Sequence, residues 1–492
     1  MPKTQEMEKI KNIAVAFVVF GATGDLSRKK IFPSFFELAK SGLLPQNIRI
    51  IGAARSKLSK EEFTDIIREH VQISNEEDWK KFALLVDYIP CDVEKNEGLQ
   101  SISQKLDGFE KEATICPQRI FYMAVSPHIY QQAFENIGTN NLHLGCTSHN
   151  KKSRIVVEKP FGYDFESAQA LQKTLEKFFE EEQIFRIDHF LAKQTVQNIF
   201  AFRFGNEIFE PIWNRNYVDN IQITLAEYPG IGKRGPFYDK VGALGDVVQN
   251  HLLQLLTLVT MEKPNFFDQT SIRERKLEIL NNLKKYTQKE VETNTVLGQY
   301  EGYLTEENIP KDSKTETFAA LKLFIENERW AGVPIYIRTG KRLMGNVTSI
   351  IISFKESGHK IFEELWDKPI PNHITIQIQP TEGIGIRIVA KKPGFASELE
   401  PIDLEYCYKA EKGAPNAYER LLIDIMVGDR TLFLGQIGPS WKFIDPIRNA
   451  WDAGMPKLVT YEPGSWGPKE AEELIKRDGR EWLAPLLTIC KI

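Results

Sequence analysis

The stretch AVAFVVFGATGDL at residues 14–26 decides the fold of the first part of the chain. It opens with a continuous apolar run rich in β-branched and aromatic side chains, which predicts a strand buried on both faces of a parallel sheet. Gly21 and Gly24 then allow a tight turn and a close backbone approach, so a pyrophosphate can rest on the N-terminus of the helix that follows. The spacing is GxxGxL rather than GxGxxG, and a strand-to-helix turn without a ligand fits it as well.

The end of the next strand bears on the choice of coenzyme. The run IRIIGAA at residues 48–54 predicts a second strand, and Arg55 and Ser56 follow it, where NAD enzymes usually place an acid for the ribose hydroxyls. A guanidinium at this point suits a 2′-phosphate, so Arg55 favours NADP over NAD. A solvated surface arginine explains the same residue equally well.

Buried runs alternate with amphipathic stretches up to about residue 190. Two later runs, at residues 119–125 and 154–157, repeat the buried-strand pattern, and the stretch after the glycine turn has helical spacing up to Gly42. This βαβ order predicts a parallel sheet covered by helices. We therefore predict a Rossmann-like, NADP-binding α/β domain over residues 1–190.

The pattern changes after the first domain. Apolar and polar side chains alternate at residues 221–225 and 373–379, which predicts strands with one wet face in an antiparallel sheet. A helical stretch around residues 246–262 would cover the other face, and residues 456–468 are predicted to form an irregular surface loop. We therefore predict an α+β domain with a large, mainly antiparallel sheet over residues 191–492.

Composition and charge exclude several classes of protein. The chain has 492 residues with 63 basic and 67 acidic side chains, so it offers no global field for nucleic acid or an anionic membrane. The first residues are polar, and the apolar run at 14–20 is far too short to span a membrane. The five cysteines lie far apart without a CxxC pair, which argues against a zinc site and a disulfide framework. Such cysteine usage fits a reducing compartment, so we expect a cytoplasmic protein.

The segment FRIDHFLAK at residues 185–193 places several ionisable groups close together. If it opens a helix, His189 and Lys193 lie four apart on one face, where an imidazole N–H and an ammonium suit a phosphate. Asp188 would then point elsewhere. A solvated helix face explains the segment equally well.

A second segment, DVVQNH at residues 246–251, runs into an apolar helix. A histidine at such a place is more often a hydrogen-bonded core residue than a base. An available carboxylate changes that balance, because an Asp–His pair can remove a hydroxyl proton near neutral pH while the carboxylate fixes the tautomer. Asp188 and His251 form such a pair if the fold brings them together, which the sequence alone does not show.

Three further polar sites are candidates for binding a ligand. The segment EKPFG at residues 158–162 follows a predicted strand, and open α/β sheets bind ligands at that edge. Lys159 precedes a proline, where a cis peptide bond would aim the lysine and a plain turn is the alternative. Glu227 follows the strand at 221–225 and Asp239 lies in the segment RGPFYD; each suits a sugar hydroxyl, and each also fits a plain surface acid.

Taken together, these motifs resemble the glucose-6-phosphate dehydrogenase family. The resemblance extends from about residue 14 to 450, and it depends on the order of many motifs rather than on one. The matching segments are GATGDL (21–26), FYMA (121–124), EKPFG (158–162), RIDHFLAK (186–193), IWNR (212–215), QNH (249–251), VPIYIRTGK (333–341) and AYERLL (417–422).

The resemblance implies an activity and a set of site residues. The activity is oxidation of D-glucose 6-phosphate to 6-phospho-D-glucono-1,5-lactone with hydride transfer to NADP+, the first oxidative step of the pentose phosphate pathway. His251 would be the general base and Asp188 the acid that orients it. The implied substrate ligands are Lys159, His189, Lys193, Glu227, Asp239 and Lys341, and the implied coenzyme ligands are Gly21, Thr23, Gly24, Asp25, Leu26, Arg55 and Lys159. The family needs no metal, and it forms homodimers or homotetramers through the sheet of the second domain.

The sequence departs from the family pattern at four positions, one of which is Asn416, where the family usually has an acid. Phe190 stands where the family usually has Tyr, and Ala192 stands where it usually has Gly. The change at Phe190 removes one hydrogen bond to the sugar phosphate. Asn346, in the segment RLMGN that follows Lys341, stands where some members have another cation. Its presence argues against a second, structural NADP site.

Two other classes of protein share part of the pattern. An oxidoreductase of the glucose–fructose oxidoreductase type has a Rossmann domain, a Glu-Lys-Pro segment and an open-faced sheet, but it lacks the RIDH-x-L-x-K segment. A non-catalytic NADP-binding sensor would keep the glycine turn and Arg55 without needing Asp188, His251 and the lysines together. The joint presence of these residues favours the enzyme.

Overall fold

The described part of the chain divides into two units. The computed structural model describes residues 10–113, 115–146, 152–188, 190–191, 193–356, 371–395, 398–408, 416–431, 433–435 and 437–483. The first unit comprises residues 1–192, 268–270 and 411–437, and the second comprises residues 193–267, 271–410 and 438–492. The predicted first domain, residues 1–190, lacks the segment 411–437, which belongs to the first unit. The roles predicted for the two domains stay predictions.

A six-stranded parallel sheet forms the centre of the first unit. Its strands are β1 (Ala14–Phe20), β2 (Asn47–Ala54), β3 (Val86–Pro90), β4 (Gln118–Met123), β5 (Arg154–Val157) and β6 (Ile184–Arg186). They lie in the order β3-β2-β1-β4-β5-β6, and every neighbouring pair is parallel. This is the Rossmann order, with its switch point between β1 and β4. The predicted fold class of this part of the chain is confirmed.

The apolar run that predicts β1 is buried along its whole length. Phe17 packs edge-on against Phe35, with ring centroids 4.9 Å apart. The predicted helix after the glycine turn is present, although it opens with a π-helical turn, Ser27–Ile31, that the spacing of apolar residues does not indicate. The α-helices of this unit are Phe32–Lys40, Lys60–Arg68, Glu76–Leu85, Leu99–Glu112, Tyr130–Thr139, Phe165–Glu176 and Ala417–Val427, with 3₁₀ turns at Pro127–Ile129, Leu142–Leu144 and Glu181–Gln183.

A disulfide joins Cys116 and Cys146, whose Cα atoms lie 6.1 Å apart. The expectation that the cysteines form no disulfide framework is therefore wrong for this pair. The two residues are 30 positions apart in sequence, so only the folded chain brings them within the usual range for a disulfide.

A nine-stranded mixed sheet forms the centre of the second unit. Its strands are β7 (Val218–Ala226), β8 (Thr295–Tyr300), β9 (Phe318–Leu323), β10 (Ile335–Gly340), β11 (Val347–Phe354), β12 (His373–Gln379), β13 (Gly383–Lys391), β14 (Leu399–Cys407) and β15 (Val459–Tyr461). Their order is β14-β13-β12-β11-β7-β10-β9-β8-β15. Neighbouring strands are antiparallel except for the pairs β7–β10 and β8–β15. The predicted large, mainly antiparallel sheet is confirmed.

The helices that lie mainly in the second unit connect and cover these strands. The α-helices are Gln194–Phe204, Gly235–Ala243, Leu253–Thr260, Gln269–Asn281, Gln288–Asn294, Gly438–Asp452 and Lys469–Lys476; a π-helix spans Leu244–Leu252, and 3₁₀ turns lie at Glu210–Ile212, Gly232–Arg234 and Tyr303–Thr305. Among the residues that the structure describes, no helix is long and apolar enough to cross a membrane.

The prediction that β7 and β12 have one wet face is wrong. Gln222 on β7 is buried: its side-chain amide donates to the carbonyl oxygen of Glu481 at 3.0 Å, and its oxygen accepts from the Leu483 N–H at 2.9 Å. On β12, Gln377 is also buried, and the helix Gln194–Phe204 packs against that strand. Alternation of side chains indicates the period of a strand, but not whether a distant segment covers its polar face.

The prediction of an irregular surface loop over residues 456–468 is also wrong in part. β15 lies within this segment and pairs with β8 at the edge of the sheet. Tyr461 is buried there, and its hydroxyl donates to the carbonyl oxygen of Lys341 at 2.7 Å. A three-residue strand between glycines and prolines is too short for the pattern to be recognised in sequence.

Candidate active site

The glycine turn closes tightly at the carboxyl end of β1. Gly21 has φ +78°, and a Cβ at this position would lie 2.2 Å from the carbonyl oxygen of Ala124. Its N–H donates to the carbonyl oxygen of Ala53 at 2.8 Å, and the Gly24 N–H donates to the carbonyl oxygen of Gly21 at 2.9 Å. Because the turn leaves no room for a side chain, the backbone itself is presented at the switch point of the sheet. These residues fit the pyrophosphate of a dinucleotide.

The other coenzyme candidates surround this turn. Phe20 pairs with Ala53 in the register of β1 and β2, so Arg55 leaves β2 at the same edge of the sheet, where its side chain is exposed. Asp25 is exposed and forms ion pairs with Arg28 at 2.7 Å and with Lys29 at 3.0 Å. The hydrogen bond from Lys29 is the main cause that lowers the pKa of Asp25. Thr23 and Leu26 are partly buried in the same turn.

The EKPFG segment places a carboxyl group of unusual pKa next to Asp188. The Lys159–Pro160 bond is cis. The Tyr122 hydroxyl donates to Glu158 Oε1 at 2.6 Å. Removal from water is the main cause that raises the pKa of Glu158 to about 7, and the negative charge of Asp188 adds to the rise. Two acidic groups therefore share this edge of the parallel sheet, and one of them is readily protonated near neutral pH.

Asp188 is almost completely buried at the end of β6. Ile187 continues the pairing of β5 with β6 by donating its N–H to the carbonyl oxygen of Val157 at 2.9 Å. The Asp188 side chain is 1% exposed, and its Oδ1 accepts from the Phe190 N–H at 2.9 Å. A short turn thus holds the carboxylate in one orientation.

The expectation that a helix presents His189 and Lys193 on one face is wrong. The helix begins at Gln194, and Lys193 precedes it in an extended conformation. The N–H of Thr195 in its first turn donates to Glu382 Oε2 at 2.8 Å, so that amide is already used within the second unit. His189 lies outside the described residues.

In the second unit, two of the predicted ligands meet in a charged cluster. Lys341 is 5% exposed; its Nζ forms an ion pair with the Glu227 carboxylate and lies 3.9 Å from Asp246 Oδ2. It also lies 5.5 Å from the ring centroid of Tyr238. Arg234 contacts Asp246 at 3.2 Å. We call these five residues the Lys341 cluster; it combines a buried lysine, an exposed arginine and two carboxylates, a set that suits sugar hydroxyls and an anion together.

The parallel pairing of β7 and β10 explains why Lys341 and Glu227 meet. Gly340 pairs with Ala226 at the ends of these strands, so the two residues that follow leave the sheet at one edge. The Glu227 N–H still donates to the carbonyl oxygen of Gly340, at 3.0 Å. Strand register therefore positions both charged side chains.

The π-helix Leu244–Leu252 carries both Asp246 and His251. Because its backbone bonds join residues five apart, Asp246 and His251 are related by one turn. His251 is 3% exposed, and its backbone N–H donates to Asn250 Oδ1 at 2.6 Å. Asn250 Nδ2 donates in turn to the carbonyl oxygen of Gly245 at 3.2 Å. The helix thus holds the predicted base at a fixed place on the same element as a member of the Lys341 cluster.

Asp239 makes its described bonds away from the Lys341 cluster. Its Oδ1 accepts from the Tyr303 hydroxyl at 2.9 Å and from the hydroxyl of Ser313. Asp239 is partly buried, so its role as a sugar ligand stays a prediction.

Asp246, Arg234 and Tyr238 are absent from the sequence-based set of site residues. Asp246 opens the segment that contains His251, but in an ordinary α-helix residues five apart do not face the same way. No pattern of apolar residues distinguishes a π-helix from an α-helix, so the five-residue spacing of Asp246 and His251 does not predict that they lie on one face.

Glu158→Gln tests the buried carboxyl in the first unit. The pKa of Glu158 is raised to about 7 in the folded chain from 4.5, so the folded state holds more protons than the unfolded state between these pH values. The free energy of unfolding therefore falls as pH rises through this window, by up to about 1.4 kcal/mol for each unit of pKa difference. Glutamine keeps an acceptor for Tyr122 and removes this titration. We expect the stability of the variant relative to wild type to increase between pH 5.5 and 8, as measured by urea unfolding.

The control for that measurement is Glu290→Gln. Its pKa is lowered to about 2, mainly by the backbone N–H of Thr287, so its charge stabilises the fold throughout this pH range. The difference between Glu290→Gln and wild type should stay constant from pH 5.5 to 8. A constant difference for Glu158→Gln as well would contradict the raised pKa.

The Rossmann sheet, the glycine turn and the Lys341 cluster define a nicotinamide-dependent oxidoreductase that acts on a polar, charged substrate. Family models agree with this class: residues 18–198 match the NAD binding domain of glucose-6-phosphate dehydrogenase, and residues 200–483 match its C-terminal domain. The chain belongs to the glucose-6-phosphate dehydrogenase family, and the predicted family and enzyme class are confirmed.

Individual relatives cover nearly the whole chain. The glucose-6-phosphate 1-dehydrogenase of Rhizobium meliloti is 40% identical over 487 residues, which is 95% of this chain and 97% of the relative. A solved structure of a glucose-6-phosphate dehydrogenase in complex with its substrate glucose 6-phosphate has a TM-score of 0.88 at 34% identity, covering 96% of this chain and 99% of its own. The enzyme from Mycobacterium avium has a TM-score of 0.83 at 33% identity, covering 96% of this chain and 100% of its own.

Proposed function

We propose that this chain oxidises D-glucose 6-phosphate to 6-phospho-D-glucono-1,5-lactone with NADP+ as the hydride acceptor. The observation that carries the proposal is the Lys341 cluster, one member of which lies one π-helical turn from the buried His251. Such a cluster supplies donors and acceptors for several hydroxyl groups, and a nearby histidine supplies a base. The similarity to a glucose-6-phosphate dehydrogenase solved with its substrate supports the same reaction.

The proposed steps assign one task to each group. His251 takes the proton from the anomeric hydroxyl, and Asp188 fixes its tautomer and stabilises the imidazolium that forms. The nicotinamide ring, when bound, accepts the hydride from the same carbon. The proposed phosphate ligands are Lys159, His189 and Lys193, and the proposed ligands of the sugar hydroxyls are Glu227, Asp239 and Lys341. We propose Asp246 as a further ligand of the sugar, because its Oδ2 lies 3.9 Å from Lys341 Nζ.

The proposed coenzyme site is the glycine turn together with the end of β2. We propose that Gly21 and Gly24 let the pyrophosphate approach the backbone. Glycine is also needed at position 21 because a Cβ there would lie 2.2 Å from the carbonyl oxygen of Ala124. Arg55 is the proposed ligand of the 2′-phosphate, because its guanidinium is exposed at the same edge. The remaining proposed contacts come from Thr23, Asp25, Leu26 and Lys159.

Replacing Arg55 with Ala tests the preference for NADP. A hydrogen bond to a charged group contributes about 1.5–3 kcal/mol, which is roughly a 10- to 100-fold change in kcat/KM. We expect kcat/KM for NADP+ to fall by that factor while kcat/KM for NAD+ changes by less than about threefold, because NAD+ lacks the phosphate. Arg68→Ala is the control, since Arg68 is an exposed arginine of the same unit that is paired with Glu76. An equal loss with both coenzymes would contradict the assignment.

We also propose that the first domain binds the coenzyme, that the second binds the substrate, and that the chain acts in the cytoplasm as a homodimer or homotetramer. The strands β13 and β14, at one edge of the mixed sheet, support self-association. Ile388, Leu404 and Tyr406 are exposed there, at 37%, 53% and 63%, although they are large apolar or aromatic side chains. A patch of this kind is typical of a protein interface.

The experiment that tests the activity follows reduced-coenzyme absorbance with glucose 6-phosphate, using NADP+ and NAD+ in parallel and unphosphorylated glucose as the control. Reduction only with the phosphorylated sugar supports the proposal. Reduction with free glucose would favour an oxidoreductase of the glucose–fructose oxidoreductase type. NADP+ binding without reduction of either mixture would favour a sensor.

A further inference from the structure

The helix that carries Asp246 and His251 begins at a sharp kink. Gly242 has φ 63° and ψ 179°, which interrupts the preceding helix two residues before the π-helix Leu244–Leu252 starts. A left-handed φ of this kind suits glycine and strains other residues. The direction in which the π-helix leaves the kink decides where Asp246 and His251 lie.

One residue from a different part of the second unit holds this junction. The Glu316 Oε1 atom accepts from the Leu244 N–H at 2.9 Å, and the Glu316 backbone carbonyl accepts from the Ala243 N–H at 3.1 Å. Two successive amides at the start of the helix are therefore bound by a single residue. The first amides of a helix have no partner within it, so an outside acceptor fixes how the helix begins.

The kink and the glutamate fit each other closely. A Cβ at Gly242 would lie 2.2 Å from Glu316 Oε1, so only glycine leaves room for the carboxyl group. Removal from water is the main cause that raises the pKa of Glu316 to about 7; the Leu244 N–H and Arg448 oppose the rise, and Asp452 adds to it. Burying a carboxyl group at such a place costs free energy of solvation, so its hydrogen bonds to the helix must offset that cost.

The residues next to Glu316 contact two other predicted ligands. The Thr315 hydroxyl donates to the backbone carbonyl of Asp239, and the carbonyl oxygen of Thr317 accepts from the Lys341 N–H at 2.9 Å. The short segment 315–317 therefore contacts three separate parts of the second unit: the Asp239 helix, the start of the π-helix and the end of β10.

We propose that Glu316 is a positioning residue for the oxidation, which fixes the start of the π-helix and so the places of His251 and Asp246. This inference rests on the proposed function, because it takes His251 as the base and Asp246 as a substrate ligand. The Glu316 carboxyl group bonds to the helix rather than to the reacting atoms, so its loss changes geometry and leaves the chemistry of the base intact. The segment 315–317 extends the same support to Lys341.

The test compares Glu316→Ala with Glu316→Gln in the full-length chain. Alanine removes the carboxyl acceptor of the Leu244 N–H and leaves this N–H only the carbonyl oxygen of Val241, whereas glutamine keeps a side-chain oxygen of similar reach. Displacing a catalytic group by about 1 Å costs roughly 100-fold in rate, so we expect Glu316→Ala to lower kcat by about 10- to 100-fold. We expect Glu316→Gln to stay within about threefold of wild type, and the dissociation constant of NADP+ to change by less than about twofold in both variants.

The matched control is Glu290→Ala. Glu290 also accepts a backbone N–H at the start of a helix of the same unit, at 2.9 Å from the Thr287 nitrogen, but its helix, Gln288–Asn294, carries no proposed ligand. The control should lose thermal stability without losing kcat. Hydrogen exchange of peptides that cover residues 243–252 gives a readout independent of the sugar used, and it should be faster in Glu316→Ala only.

The outcomes separate this inference from the proposed function. If wild type fails to oxidise glucose 6-phosphate while exchange at residues 243–252 rises in Glu316→Ala alone, the proposed function fails and the structural support by Glu316 stands. If exchange is unchanged and kcat of Glu316→Ala stays within twofold, the inference is overturned. A glutamine variant as impaired as the alanine variant also overturns it, because the retained acceptor then has no effect.

Discussion

Replacing His251 with Asn is expected to lower kcat by about 10²- to 10⁴-fold, the range that general acid–base catalysis usually contributes. An amide cannot accept the proton of the anomeric hydroxyl at neutral pH. The substitution should leave the helix in place, because the bonds that shape it come from Glu316 at its start and from Asn250 beside the histidine. The binding of glucose 6-phosphate, measured by calorimetry without coenzyme, should therefore change by less than about threefold while the rate is lost.

His373→Asn is the matched control for that experiment. His373 is also a buried histidine of the second unit, and burial lowers its pKa to about 4, so it is neutral at the assay pH. The substitution is the same histidine-to-asparagine change as at His251, and kcat should stay within about twofold of wild type. Near-normal turnover in His251→Asn would remove His251 from the role of base.

The elements that the sequence predicts well are those whose local pattern is set by burial alone. The limits of β1, β5 and β12 agree with the apolar runs or alternating stretches from which they were predicted. Where a strand is apolar along its whole length, as β1 is, the apolar run ends where the strand ends.

The failures share a different cause, which is contact between distant parts of the chain. The polar face of β7 is covered by the segment around Glu481, and β15 becomes a strand only by pairing with β8. The Cys116–Cys146 disulfide likewise depends on two loops that meet only in the fold. Neither the composition of the sequence nor the period of its apolar residues indicates such contacts.

In the candidate site, too, local motifs are visible in the sequence, whereas contacts between distant residues are not. Lys341 and Glu227 were both predicted from motifs, but their ion pair follows from the register of β7 and β10, which a single sequence does not specify. Motifs do not reveal Asp246, which joins the site through a π-helix, or Glu316, whose proposed role consists of bonds to backbone amides. Motifs identify side chains with chemistry, while the groups that position them become visible only in the structure.

Replacing Asp188 with Asn is the second change with a large expected effect. Asparagine has nearly the same shape, and its oxygen can still accept from the Phe190 N–H that Asp188 Oδ1 binds at 2.9 Å. The negative charge is lost, so the proposed base is neither held in one tautomer nor stabilised once it is protonated. We expect kcat to fall by about 10²- to 10⁴-fold, with the affinity for NADP+ and for glucose 6-phosphate nearly unchanged.

The neighbouring Glu158 supplies a second readout for the same variant. The charge of Asp188 helps to raise the pKa of Glu158, so its removal should lower that pKa and move the associated change in stability to lower pH. Asp424→Asn is the control, since Asp424 is a 2% exposed acid of the same unit that is paired with Arg420. Its loss should reduce stability without reducing kcat. If Asp188→Asn instead keeps its kcat while the stability profile moves as expected, Asp188 acts only on Glu158, and the proposed base must be oriented by another group.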